Sequence, residues 1–554
     1  MKKNHKYIFV VGGVMSGVGK GIATSSIGQI LQAKGFKVNP IKIDPYLNVD
    51  AGTMNPTEHG ETFVLDSGLE TDQDMGNYER FLNVDLIPED YMTSGMIYLH
   101  IIQKERNLGY NGKCVDPLPY TTEEIIRRWK KSADHHASDI SIIEIGGTIG
   151  DYQNVMFIEA ARILKVKHPQ DVIFVIVSYL PIPSTLGEMK TRPTQNAVRQ
   201  LNSYGVQPDI IIARGSHPLD HKRKEKIAFS CSVQEDHVIS APDIKSIYDV
   251  PVNFEKDRIG DIILKDLNLR AKNKDDGLSD WKKFVAKTKN GSKELNIAIV
   301  GKYFDTGDFV LSDAYVSVIE AIKFSAYHQG AKPNLTWINS KHYETGDRDV
   351  SELSNYDGVI VPGGFGESGI EGVIKAITYA RENKIPYLGL CYGMQLMTIE
   401  YARNVVGLKG AHTTEINKKT QYPIIDIMEH QKKHLEAGNF GATMRLGQYE
   451  AHLKKGTIAR KAYGIESVLE RHRHRYEVNP KFVEQIEQAG LVFSGTSPDG
   501  TLMEIAELPQ DIHPFFLGTQ FHPEFKARPL APHPLFSEFV KASLKNKKPS
   551  VKLA

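Results

Sequence analysis

Residues 6–26 read KYIFVVGGVMSGVGKGIATSS, and this stretch decides the fold. The run Tyr7–Val11 is apolar without alternation, which marks a strand covered on both faces, as in a parallel α/β sheet. Glycines follow it, and Thr24–Lys34 then suits a crossover helix. Glycines let the main chain curl so that its N–H groups point inward at an anion. The helix N-terminus adds a partial positive charge and Lys20 a full one. A strict GxxxxGK[ST] phosphate loop needs glycine where Val14 stands and a hydroxyl residue where Gly21 stands. Here Gly13 opens a longer loop, and a magnesium ion held with the phosphates must find other ligands.

The same rhythm continues along the chain. Asp139–Ile145, Val172–Val177, Ile210–Ala213, Asn296–Val300, Gly358–Val361, Tyr387–Leu390 and Phe515–Thr519 read as further strands, with Thr121–Lys131 and Ala314–Ala326 as helices. The stretch AKNKDDGLSDWKKFVAKTKNG, Ala271–Gly291, is charged with little apolar pattern, and LNIAIVGKY after it restarts a strand-then-glycine sequence. The expected organisation is an α/β domain over residues 1–270, a linker over 271–293, a second α/β domain over 294–545 and a frayed basic tail over 546–554.

A chain of 554 residues exceeds one ordinary core, in keeping with two domains. Its 68 Lys and Arg against 67 Asp and Glu leave a net charge of +1, so no global field favours nucleic acid or an anionic membrane. The three cysteines, Cys114, Cys231 and Cys391, form no CxxC pair; this argues against a disulfide framework or a thiolate zinc site and for a reducing, cytoplasmic compartment. Lys2, Lys3 and Lys6 ahead of the apolar run mimic a secretory signal, but the run is too short and breaks at Gly12 and Gly13. No apolar stretch approaches the roughly 20 residues that span a bilayer.

Three groups of residues in the N-terminal half can carry chemistry. Asp44 follows the strand-like KVNPIKI, Asp74 lies in GLETDQDMG, and Glu144 ends the run SDISIIE just before GGTIGD. A carboxylate at the C-terminal end of a strand sits at the ligand edge of a parallel sheet, and Mg²⁺ takes one or two such groups beside phosphate oxygens and water. Taken singly, each acid also reads as a solvated turn or a cap. The segment GEMKTRPTQN, Gly187–Asn196, offers Lys190, Arg192, Thr194 and Gln195, two cations beside uncharged donors, which suits a triphosphate with a base or sugar and equally a solvated basic loop.

In the C-terminal half, the strand PYLGL leads to Cys391 and then to the helical YGMQLMTIEYAR. GLCYG has the spacing of a nucleophile elbow, a sharp strand-to-helix turn that exposes the side chain at a helix N-terminus and favours the reactive thiolate. VPGGFG upstream supplies N–H groups for an oxyanion hole. In GTQFHPEF, His522 and Glu524 stand two residues apart on extended chain and point to one side, so Glu524 can orient His522 while His522 serves Cys391. RHRHRYE, Arg471–Glu477, alternates Arg and His and reads as a solvated strand face or, through Arg475, as a carboxylate clamp.

These residues carry a resemblance. GGVMSGVGKGI, KIDPYLNVDAGTMNPTEHGE, ETDQDMGNYERF, IEIGGTIGD and GEMKTRPTQ resemble the amidoligase domain of the CTP synthases, and VPGGFG, YLGLCYGMQ, GATMRLG, ERHRHRYEVN and QFHPEF resemble their class I glutamine amidotransferase domain. The resemblance implies a P-loop-type, dethiobiotin-synthetase-like parallel sheet followed by a class I amidotransferase α/β domain. It implies that Cys391 attacks glutamine with His522 and Glu524 handling protons, and that ammonia passes a gate at His59. In the other domain, ATP phosphorylates the C4 oxygen of UTP and ammonia displaces the phosphate. By the matching motifs Lys20 and Lys42 neutralise the phosphoryl group, Asp74 and Glu144 hold Mg²⁺, and Gly17, Val18, Gly19, Gly21, Ile22 and Arg214 lie on ATP. Ser16, Asp151, Tyr152, Gln153, Lys190, Thr191, Arg192, Pro193, Thr194, Gln195 and Lys226 contact UTP or the feedback inhibitor CTP. Gly364, Tyr392, Gly393, Met394, Gln395, Glu415 and Arg475 hold glutamine. The family implies a homotetramer, filaments, and GTP as an allosteric activator.

The chain departs from the family at several positions. Asp116 and Tyr120 stand for glutamine and histidine, Met96 for a basic residue, Arg192 for lysine, Gln153 for an acid, and Ser368 for an arginine linked to GTP activation. A cobyrinic-acid-type amidotransferase shares the architecture but not GEMKTRPTQ or ETDQDMGNYERF. A filament-forming relative without activity sits poorly with intact Cys391, His522, Glu524 and Lys20, and a partition-type ATPase leaves the second domain without a role.

Overall fold

The structure, a computed structural model, describes residues 5–55, 59–184, 187–273, 277–302, 305–306, 309–310, 312–428, 431 and 441–546. The basic tail beyond residue 546 and part of the expected linker, residues 274–276, lie outside the described residues. The chain divides into two compact units, one of Met1–Asp50 with Asp74–Val285, the other of Ala51–Gln73 with Ala286–Ala554.

The first unit is built on seven strands, β1 (Lys6–Gly13), β2 (Val38–Asp44), β3 (Tyr91–Thr93), β4 (Ile140–Ile145), β5 (Val172–Tyr179), β6 (Ile210–Gly215) and β7 (Val238–Pro242), in the spatial order 3-2-4-1-5-6-7. All are parallel, and β1 lies between β4 and β5, with Val10 opposite Glu144 and Gly13 opposite Ser178. Unbroken apolar strands such as Ile8–Val11 are fully covered because helices pack on both faces. The helices used below are α1 (Lys20–Ala33), α2 (Gln73–Leu82), α3 (Arg192–Ser203) and α4 (Ser279–Asn290). The strands end together, so the β1–α1 loop, Asp44, Glu144 and Arg214 share one edge of the sheet. Helix α4 falls inside the stretch read as a linker. Trp281, Phe284 and Val285 form its buried stripe, and the Trp281 indole donates to the Tyr248 carbonyl at 2.9 Å.

The main sheet of the second unit has nine strands, β8 (Lys293–Gly301), β9 (Ala331–Asn339), β10 (Gly358–Val361), β11 (Tyr387–Leu390), β12 (Arg445–Leu453), β13 (Ser467–His474), β14 (Val492–Thr496), β15 (Met503–Glu507) and β16 (Phe516–Thr519), in the order 9-8-10-11-16-15-14-12-13. The pairs from β9 to β16 are parallel and those from β16 to β13 antiparallel. Helices α5 (Val316–His328) and α6 (Tyr392–Asn404) pack on it. The segment Ala51–Gln73, from the first half of the chain, belongs to this unit; it adds the two-residue strands Phe63–Val64 and Glu70–Thr71.

Candidate active site

Lys20 opens α1 and turns back over the loop, donating its ammonium to the Gly147 carbonyl at 2.8 Å. A Cβ on Gly12 would stand 2.8 Å from that ammonium, so only glycine leaves the lysine its path. Position 21 explains the missing hydroxyl. A Cβ there would lie 2.0 Å from Asp74 Oδ1, so the carboxylate occupies the space a serine or threonine would need.

Asp74 and Glu144, widely separated in sequence, converge on one cation. The Lys42 ammonium donates to Asp74 Oδ2 and, at 2.8 Å, to Glu144 Oε1, with Asp44 Oδ1 3.7 Å away. Tyr78 donates its hydroxyl to Glu144 Oε2 at 2.5 Å. Burial raises the Asp74 carboxyl, but Lys42 beside it prevails and holds it below the usual range. At Glu144 burial prevails over Lys42 and the carboxyl is raised; burial likewise lowers Lys20 against the pull of Glu144. Two carboxylates already gathered around a positive charge, at the edge where the phosphate loop ends, have the donor chemistry of a Mg²⁺ site.

Beside this edge, Gly19, Ile22 and Arg214 line a cleft of about 800 Å³ whose floor is apolar, including Ile212, Ile247 and Phe254. Arg214 donates to the Val18 carbonyl at 3.3 Å and to Asp243 Oδ1 at 2.6 Å. Ser16 and Gly17 are exposed in the loop and Val18 is buried.

The residues of GEMKTRPTQN separate. Thr194 is buried with its hydroxyl 2.8 Å from that of Ser178, and Gln195 donates to Thr191 Oγ1 at 3.2 Å. Pro193 sits in the first turn of α3. Arg192 is exposed and Lys190 half-buried, paired with Glu188 at 2.6 Å. Lys190 lowers the Glu188 carboxyl, with Arg223 and Lys226 adding to the effect, so Lys226 belongs to the same basic group. Asp151 accepts from the Thr148 N–H at 2.6 Å, while Tyr152 and Gln153 point to solvent. Of the departures, Asp116 and Ser368 are exposed and Tyr120 packs its ring on Tyr110.

In the second unit β11 delivers Cys391 to the N-terminus of α6 with φ 50° and ψ −97°, a strained elbow. The turn leaves no room at its flanks: a Cβ on Gly393 would stand 2.3 Å from the Val361 carbonyl, and one on Gly389 2.7 Å from the Gly393 main chain. His522 Nδ1 lies 2.7 Å from Glu524 Oε1, and both are buried. Burial lowers the imidazole, but Glu524 and then Cys391 outweigh it and push it up to about 10. Gly363 lies against this pair; its Cβ would come within 2.9 Å of His522 Cε1. Cys391, His522 and Glu524 line one cleft of about 570 Å³ with Gly364, Phe365, Arg473 and Glu61.

Of the residues expected to hold glutamine, Gly364 lines this cleft and the others lie outside its lining. Glu415 accepts from the Gly366 N–H at 3.1 Å, and the Tyr392 hydroxyl donates to the Gly366 carbonyl at 3.1 Å. Met394 is fully buried, and Arg475 donates to Gln431 Oε1 at 2.8 Å. His59 is exposed in the segment Ala51–Gln73. The Arg/His alternation is no solvated face. Arg471 and Arg473 donate to Asp66 and Glu70 at 2.5 and 2.7 Å, whereas His472 and His474 are buried together, ring nitrogens 2.9 Å apart.

Sequence reasoning missed Tyr78, Glu61, Lys302 and Gln520. Lys302 donates to the Gly366 carbonyl and covers the Tyr392 ring, and burial lowers its ammonium to about 8. Glu61 accepts from the Ser317 N–H at 3.1 Å and caps α5. Tyr78 and Gln520 lie within the quoted strings ETDQDMGNYERF and QFHPEF, and that adjacency was the available signal.

The family model described as CTP synthase N-terminus matches residues 6–269, and that described as Glutamine amidotransferase class-I matches residues 310–542. A CTP synthase of Thermococcus gammatolerans is 47% identical over 544 residues, covering 98% of this chain and 99% of its own. One from Pyrococcus furiosus is 48% identical over 540 residues, 97% and 98% of the two chains. The solved glutaminase domain of Trypanosoma brucei CTPS with bound acivicin is 35% identical, covers 46% of this chain and 95% of its own, and has a TM-score of 0.41. With such identity sustained along nearly the whole length, the chain belongs to the CTP synthase family.

Proposed function

We propose that the chain makes CTP from UTP, with ATP, using ammonia that it releases from glutamine, and that Cys391 and Lys20 mark the two reaction centres. The observation that carries this is the coexistence, in one chain, of a buried Cys391–His522–Glu524 cleft and a glycine-rich loop ending in Lys20, beside Lys42 and the paired carboxylates Asp74 and Glu144.

In the glutaminase, the Cys391 sulfur attacks the carboxamide carbon of glutamine. Main-chain N–H groups of Gly364 and Tyr392 take the oxyanion; the Gly366 N–H is already given to Glu415. The protonated His522, held by Glu524, passes its proton to the departing nitrogen. Ammonia leaves, and neutral His522 then takes a proton from water, which opens the glutamyl thioester and restores the thiol. Arg475 and Glu415 hold the amino-acid end of glutamine, and His59 gates the ammonia.

In the synthetase, the apolar cleft beside Gly19, Ile22 and Arg214 takes the adenine, and Lys20 and Lys42 balance charge on the transferring phosphoryl group. Mg²⁺, when bound by Asp74 and Glu144, supplies further neutralisation of the phosphate oxygens. The basic group of half-buried Lys190 with exposed Arg192 and Lys226 holds the UTP triphosphate, and the same region receives CTP as inhibitor. GTP acts on the glutaminase, with Ser368 limiting its effect. The active form is a homotetramer, and self-association is supported by exposed apolar residues on the helix Ser94–Arg106. Three free cysteines suit the cytoplasm.

The test is isotopic. With amide-¹⁵N glutamine and UTP carrying ¹⁸O at C4, the label of the first is expected in the CTP amino group and that of the second in inorganic phosphate. Oxygen label released to water, or nitrogen label absent from the product, would overturn the proposal.

A further inference from the structure

Two buried side-chain amides stand behind Cys391, and their hydrogen bonds run in one direction. Gln395, in the first turns of α6, donates its Nε2 to the Tyr476 carbonyl at 2.9 Å and to Gln520 Oε1 at 3.3 Å. A main-chain carbonyl can only accept, so Tyr476 fixes which way the Gln395 amide faces. That choice fixes the next one. Gln520 receives at its oxygen and must turn its Nε2 the other way, where it donates to Cys391 Sγ at 3.7 Å. Gln395 is 3% exposed and Gln520 0%, so water offers neither amide an alternative partner of the opposite sense.

Besides His522, which faces it from the other side of the cleft, the sulfur thus has two polar neighbours of opposite preference. The Arg473 carbonyl, 3.9 Å away, accepts from the S–H and favours the thiol. The Gln520 N–H favours the thiolate, because a hydrogen bond to a charged acceptor is roughly twice as strong as one between neutral groups. The main-chain N–H of Gln520 is tied to the Glu504 carbonyl at 2.8 Å, so the residue cannot drift from the sulfur without breaking the sheet edge.

We propose that Gln520 is a catalytic residue of the glutaminase, donating its side-chain N–H to the Cys391 thiolate and holding the sulfur for attack, with Gln395 and the Tyr476 carbonyl as the groups that aim it. The inference rests on the reading of Cys391 as the nucleophile.

Gln520→Leu removes the donor at similar size, and Gln520→Glu keeps the shape but offers the sulfur an oxygen. The measurements are glutamine hydrolysis, the pH profile of iodoacetamide capture at Cys391 located by peptide mass, and CTP formation from ammonium chloride. Both variants are expected to shift the capture profile to higher pH, Glu more than Leu. Glutamine hydrolysis should fall about 10- to 100-fold, with ammonium-supported synthesis within about twofold of the native protein. An unmoved capture profile in both variants, with ammonium-supported synthesis intact, overturns the proposal. Should Cys391→Ala still hydrolyse glutamine, the nucleophile itself is misplaced and the proposal goes with it.

Discussion

Asp74 takes the place that the residue after the phosphate-loop lysine fills in the strict motif, and this single substitution of roles governs the synthetase edge. Restoring the motif should therefore harm the protein. In Gly21→Ser, the new Cβ collides with Asp74 Oδ1, and CTP formation from either nitrogen source is expected to fall at least about tenfold while glutamine hydrolysis persists. Steady-state assays of the two reactions decide it, and an unimpaired variant would deny Asp74 its place. In the second unit, Ser368 is exposed and uncharged where the resemblance leads one to expect arginine. Ser368→Arg is expected to increase the stimulation of glutamine-dependent synthesis by GTP; equal stimulation in both proteins would remove this position from the effector response. Single residues were legible where the chain writes them next to one another, as with Lys20 in its loop or His522 and Glu524. The bond from Lys42 to Glu144 was not, because only the sheet register brings them side by side. Gln520 was hidden by its company, an amide beside His522 in GTQFHPEF to which the sequence attached no role until its partners appeared.

Strands were the most legible elements, since long apolar runs have few other uses, and every strand expected from such a run has its counterpart in the two sheets. Helix α4 was not, for its apolar stripe is only Trp281, Phe284 and Val285 in a run of charges. Strand β13 misled for a different reason. Its Arg/His alternation looks solvated until Phe63–Glu70, some 400 residues earlier in the chain, covers the arginine side, where Arg471 also donates to the Val64 carbonyl at 3.1 Å. On the other side His472 and His474 pack near Arg445, which donates to Glu477 at 3.1 Å and Glu504 at 2.7 Å. Burial, with Glu504 adding to it, pushes the Glu477 carboxyl up to about 8 despite Arg445. The sign follows from linkage. The folded state holds this proton more tightly than the unfolded state, so the contribution is full below about pH 4.5 and is lost as pH rises toward about 8. Thermal unfolding of Glu477→Gln is expected to lose less stability than the native protein between pH 5 and 8. Parallel losses in the two proteins would show that Glu477 does not titrate in that window.

At the scale of the whole molecule, the proposed function gives each unit one half-reaction, and the chain leaves the first unit for the second over the segment Ala51–Gln73 before going back. No helix among the described residues is long and apolar enough to cross a membrane. Yet Ile102 is 57% exposed on the helix Ser94–Arg106, with Leu99 and Tyr98 near it. If self-association covers this surface, Ile102→Asp should shift sedimentation toward smaller species and lower synthesis from ammonium as well as glutamine; unchanged sedimentation would place the contact elsewhere. The division of labour itself is tested most directly by one comparison, the conversion of UTP to CTP with ATP and Mg²⁺, fed by glutamine or by ammonium chloride, in the native protein and in Cys391→Ala. The account predicts synthesis from both nitrogen sources in the native protein and from ammonium alone in the variant. Glutamine-supported synthesis by Cys391→Ala, or no synthesis from ammonium by either protein, would contradict it.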